Sequence, residues 1–138
     1  MSEMNKILVE TRRWLAYAQR DFTAAQALAR EGDRFAPQIC VLSQQAAEKS
    51  LKAALIFLQI EFPFRHDLEL LASLFPKNLV CSQLTNLPRL TEWTVESRYP
   101  SRLEEPTLED AQTALELAQE VLSSVQADLV QQGFSLSP

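Results

Sequence analysis

Apolar positions along this chain recur at steps of three and four, the period of helices with one buried face. From about Ser2 to Glu31, Ile7, Thr11, Trp14, Leu15, Ala18, Phe22, Ala25 and Ala29 share one side of a predicted helix, and Lys6, Arg13 and Arg20 project from another. A second helix is predicted from Pro37 to about Glu61, proline suiting a first turn because its missing amide has no intrahelical partner there. Laid out at about 100° per residue, this helix buries Ile39, Leu42, Ala46, Ser50, Ala53 and Phe57, flanked by Cys40, Ala47, Leu51, Ala54 and Leu58. Its remaining wedge is polar. Gln44, Glu48 and Lys52 form one row at four-residue spacing, and Gln45 and Lys49 form the next.

Glycine and proline mark the breaks. Gly32 and Gly133, the only glycines, each follow a long helical stretch and read as helix stops. Short helices are predicted from Asp67 to Phe75 and from about Pro88 to Ser97, with room for an extra turn before the second; Arg98 to Pro106 reads as a loop. Thr107 then opens the last helix with Asp110 three residues on, a capping-box-like pair, and the buried stripe runs Leu108, Ala111, Leu115, Ala118, Leu122, Val125, Leu129. No stretch alternates at period two. The predicted fold is all-α, an antiparallel up-and-down bundle of about five helices, three long and two short, over residues 1–132, with 133–138 a frayed tail.

Composition narrows the function classes. A chain of 138 residues, 46% hydrophobic and 22% charged, matches one globular domain. Its net charge of -5 argues against a nonspecific binder of DNA or RNA, which would need a local basic patch. The first residues mix charges with isolated apolar side chains, unlike an export signal, and the longest apolar run, Ala53 to Leu58, is far too short for a bilayer. A cytoplasmic protein off the membrane is therefore expected. Cys40 and Cys81 are read as reduced thiols, and with one histidine they form no metal-ligand pattern, so neither metal nor cofactor is predicted.

Two accounts of the polar wedge stand side by side. Glu48 precedes Lys52 by four residues, the favourable order for an ion pair, worth about 0.3–0.5 kcal/mol if the wedge faces water. Val41, Leu55 and Ile56 inside or beside it point instead to partial cover by another helix or another subunit. Asp21, at the edge of the first helix's apolar stripe near Trp14, wants a cation that Lys49 or Lys52 could supply. The row Lys6, Arg13, Arg20 beside Tyr17 reads as a solvated face in preference to an RNA contact. His66, just before "DLELL", reads as capping or packing the third helix. Arg98 and Tyr99 put a guanidinium beside an aromatic ring, chemistry suited to a phosphate and a base.

The ordered pieces "WLAYAQRDFTAA" (14–25), "QQAAEKSLKAAL" (44–55), "HDLELL" (66–71), "SRYP" (97–100) and "TLEDAQTALELAQEV" (107–121) resemble the HEPN domain family, small all-helical bacterial and archaeal proteins. The resemblance implies a helical bundle, commonly a homodimer, frequently encoded beside a minimal nucleotidyltransferase as a toxin–antitoxin-like pair. It also implies that many members are metal-independent ribonucleases, using an arginine followed after four to six residues by a histidine. Here the matching positions before His66 are Gln59, Ile60 and Glu61, and Arg98 is followed by no histidine, so that motif is absent. The expectation is a nucleotide-binding or protein-interaction module, paired with a nucleotidyltransferase, and not a nuclease. Its candidate contacts are Gln44, Gln45, Glu48, Lys49, Lys52, Arg98 and Tyr99, supported by Asp21 and His66. Two alternatives remain: a ribonuclease toxin with a displaced site built on His66 with Arg65 or Arg98, and a purely structural oligomerising bundle.

Overall fold

The computed structural model describes residues 2–96 and 105–137, and among these every regular element is helical. Helix α1 spans Glu3–Ala29, α2 Ala36–Phe57, α3 Leu68–Ser73, α4 Leu87–Glu96 and α5 Leu108–Gln131; 3₁₀ turns occupy Gly32–Phe35 and Val80–Gln83. The turn at Val80–Gln83 is the extra turn before α4. Of the expected loop Arg98–Pro106, only Glu105 and Pro106 fall among the described residues, so Arg98 and Tyr99 lie outside them.

The caps follow from side-chain chemistry. Ser2 accepts from the amide of Asn5 at 3.1 Å and starts α1. Thr107 and Asp110 form the full reciprocal box, with the Asp110 amide donating to Thr107 Oγ1 at 3.1 Å and the Thr107 amide to Asp110 Oδ2 at 2.9 Å. Asp67, not His66, caps α3, accepting from the Leu70 amide at 3.1 Å. Helix α2 stops at Phe57, before the expected Glu61. There Gln59 adopts a left-handed backbone (φ 59°), its amide donating to Ile56 O at 3.0 Å and that of Ile60 to Leu55 O at 2.9 Å. The same Schellman closure ends α5, with Gly133 (φ 93°) in the left-handed place and Phe134 N donating to Leu129 O at 2.9 Å.

Helix α2 is the central element. α1 lies antiparallel along it, Asp21 meeting Lys49 and Trp14 meeting Lys52. Helix α5 packs alongside α2, and Phe57 at the end of α2 meets Phe134 just past α5 edge-on, with centroids 5.3 Å apart. Phe134 is thus buried and holds the chain to the core, a correction to the frayed tail expected from Gly133 onward. Ala46, Ala47, Ala53 and Ala54 of α2 are all buried, and side chains this small let α1 and α5 approach closely. Leu55 is fully buried within the one chain, so it needs no second subunit to cover it.

The turn at Val80–Gln83 is fixed from α5. Asp128, buried in that helix's apolar stripe, accepts from the amides of Val80 at 2.7 Å and Cys81 at 2.8 Å. A carboxylate there occupies the place of an N-cap supplied by another helix.

Candidate functional site

Three of the five wedge residues are buried: Gln44, Glu48 and Lys52. The account in which this row faces water is therefore overturned, and the cover comes from the same chain. Lys52 Nζ lies 6.0 Å from the ring centre of Trp14 on α1 and 5.7 Å from that of Phe62, just past the end of α2. Gln45 and Lys49, one row over, stay half-buried, and Lys49 Nζ pairs with Asp21 Oδ2 at 2.6 Å, pinning α1 to α2.

Glu48 is the hub. Its Oε2 accepts from Lys52 Nζ at 2.9 Å, and its Oε1 meets Gln44 Nε2 at 3.0 Å and His66 Nδ1 at 2.8 Å. Gln44 Nε2 also reaches the His66 carbonyl at 3.4 Å, while Gln44 Oε1 accepts from Gln45 Nε2 at 2.9 Å. Both neighbours of Nε2 are acceptors, which fixes the orientation of the amide. Burial alone raises the pKa of Glu48; hydrogen bonds from Lys52, Gln44 and His66, with the charge of Lys52, outweigh it and hold the carboxyl below its ordinary value.

An ionised carboxylate only accepts, so His66 Nδ1 carries the hydrogen in this contact. Its Nε2 has no partner among the described residues, and the side chain is 58% exposed against 6% for Glu48. A buried, ionised carboxylate thus orients a surface imidazole. That arrangement fixes the ring's tautomer and gives Nε2 a defined direction as an acceptor, suited to a ligand N–H or O–H. Pro63 to Asp67 are all exposed, and the Phe64 side chain stands 99% in solvent beside Arg65 and His66 in sequence. Below this loop the Leu68 amide donates to Thr91 Oγ1 at 3.1 Å, tying the start of α3 to α4.

Sequence reasoning places His66 at the start of α3 as a cap or packing residue; its side chain instead turns back to α2. It misses Phe62 and Phe64, although "EFPF" beside a lone histidine is an aromatic-rich break in a chain with few aromatics. The basic row behaves as a solvated face. Lys6 pairs with Glu3 at 3.7 Å and Arg13 with Glu10 at 3.6 Å, while Arg13 and Arg20 both lie over the Tyr17 ring. Burial pushes the Cys40 thiol up to about 12, aided by the charge of Asp110 and opposed by Arg89. Burial and the Asp128 carboxylate also raise Cys81, so neither thiol is a nucleophile at neutral pH. No group of three or more His, Cys, Asp or Glu that could hold a metal occurs among the described residues, and no helix there is long and apolar enough to cross a membrane.

The model of the HEPN domain matches residues 11–128, from the first half of α1 to the last turn of α5 and across the whole Glu48 network. The chain belongs to the HEPN domain family. Two solved structures share its fold. TT1696 from Thermus thermophilus is 28% identical, with 87% of this chain and 98% of that chain covered and a TM-score of 0.75. ST0689, an archaeal HEPN homologue, is 25% identical, with 86% and 96% covered and a TM-score of 0.63. No curated protein matches significantly. Within this HEPN domain His66 is held from α2 through Glu48, with no arginine at the spacing of the nuclease motif.

Proposed function

We propose that this HEPN domain is a nucleotide-binding module that works with a minimal nucleotidyltransferase, as a homodimer and without nuclease activity of its own. The nucleotide sits at the corner between α2 and α3. The observation that carries this reading is His66, fixed through Nδ1 on ionised Glu48 and directed outward at Nε2 in a loop that also exposes Phe64 and Arg65. Each group matches one part of a nucleotide. A free aromatic ring stacks a base, worth about 1–3 kcal/mol; a guanidinium takes phosphate oxygens in pairs; an oriented imidazole adds a further hydrogen bond. Lys52 stays committed to Glu48 and acts by keeping that carboxylate ionised. The nucleotidyltransferase partner and the dimer rest on family membership alone.

Titration calorimetry with ATP and AMP tests the binding. Saturable heat, weakened at least tenfold by both Phe64→Ala and His66→Ala, is the expected result. Absence of heat with either nucleotide, together with an empty pull-down from the native host, sinks the reading. A ribonuclease is the second reading, favoured by the same carboxylate–imidazole contact, which is also the way a general base is oriented. Cleavage of total RNA by the pure protein, lost in His66→Ala, would put the enzyme first.

A further inference from the structure

A second feature shares no residue with the His66 corner. Between α1 and α5 lies a cleft of about 350 Å³. Its floor is Ala18, Ser50 and Leu122, all buried, and Leu15 and Ala16 line it from α1. Phe134 and Leu136, just past α5, complete the apolar lining. The space persists because Ala16, Ala18 and Ser50 are too small to fill it, and the buried Ser50 hydroxyl is already spent on the Ala47 carbonyl at 2.9 Å. A cleft of this volume is at the small end of the range for small-molecule sites.

Its charge is one-sided. In a chain of net charge -5, the only ionisable residue lining this cleft is Arg12, accompanied by the neutral amides of Gln19 and Gln126. Neighbouring Arg13 has Glu10, but Arg12 has no carboxylate partner among the described residues. Its guanidinium instead lies over the Phe134 ring, 4.6 Å from the centroid. Attraction to the ring face holds the guanidinium in place without using a carboxylate, so its N–H donors can take a ligand carboxylate through two parallel hydrogen bonds. Largely apolar walls with one cation among the lining residues suit a ligand with an apolar body and a single anionic head.

We propose that this cleft binds a small amphiphilic carboxylate, its medium-length acyl or aryl-alkyl body against Leu15, Leu122, Phe134 and Leu136 and its carboxylate on Arg12. The probe is octanoate, with octanol as the neutral control, followed by amide chemical shifts in labelled full-length protein. Expected are saturable shifts at Ala16, Gln19, Ser50 and Gln126 with octanoate, and at least tenfold weaker binding of octanol. Arg12→Met lowers octanoate affinity to the octanol level and leaves octanol unchanged. Ala16→Trp, which fills the cleft from its exposed wall, abolishes both. Equal affinity for acid and alcohol overturns the proposal, as do shifts scattered over exposed apolar positions such as Met4, Val9 and Phe64. It also fails if the cleft resonances do not move at all, as when a second copy covers them. His66→Ala titrates with octanoate as the wild type does, so failure of the nucleotide reading leaves this one standing.

Discussion

Two carboxylates are buried among the described residues of this bundle, and they are held in opposite ways. Glu48 on α2 is surrounded by side chains: an ammonium, an amide and an imidazole. Asp128 on α5 is held by the two backbone amides of Val80 and Cys81. Backbone donors cannot move without the turn they belong to, so Asp128 is a fastening. Side-chain donors can rotate and reach the surface, and His66, one of those around Glu48, reaches it. The difference teaches where to look for function in an all-helical core: burial of a charge is common to both sites, but only the Glu48 network ends in water.

Breaking the neutralisation gives the largest effect. Lys52→Met leaves Glu48 buried without its cation and is expected to cost about 3–5 kcal/mol in urea unfolding, a good part recovered by adding Glu48→Gln. If the single variant costs under about 1 kcal/mol, the pair is not desolvated as described. Asp128→Ala comes next, at about 2–3 kcal/mol, because it strands two amides of the Val80–Gln83 turn. Asp128→Asn keeps one acceptor and should lose about half as much.

Acid separates the two sites by another route. The folded pKa of Glu48 lies below its unfolded value, so its contribution is fully present above the ordinary carboxyl pKa of about 4.3 and is lost as pH falls through the depressed folded value. The stability gap between wild type and Glu48→Gln should be flat from pH 7 to about 5 and shrink below about 4. A gap that grew toward acid would reverse the sign assigned here. Smallest is His66→Ala, under about 1 kcal/mol in stability, since the ring is mostly in solvent. Combined with lost nucleotide binding, that result would mark His66 as an outward arm and not a strut.

The helices were largely legible because their signals are local. The Thr107–Asp110 box, the four-residue rows of α2 and the Asp21 partner all depend on helical spacing and on a lone charge seeking its opposite. What stayed hidden depends on where the chain goes afterward. A helical projection assigns polar rows to water, yet Gln44, Glu48 and Lys52 satisfy one another beneath α1 and the 58–67 segment. His66 reaches Glu48 only because the chain turns at Gln59, and a glutamine in a left-handed backbone leaves no glycine to mark the turn. Asp128 was illegible for a different reason. Its partners are amides 47 and 48 residues away, and backbone donors carry no signature in a sequence.

The seat of Lys52 between Trp14 and Phe62 also has an optical consequence. An indole a few ångströms from a fixed ammonium emits according to the field of that charge, so any event that shifts the Glu48–Lys52 pair changes the colour and yield of Trp14. With Trp93→Phe leaving Trp14 as the sole tryptophan, the protein becomes its own fluorescent gauge of what happens at the far end of the network, where His66 meets solvent.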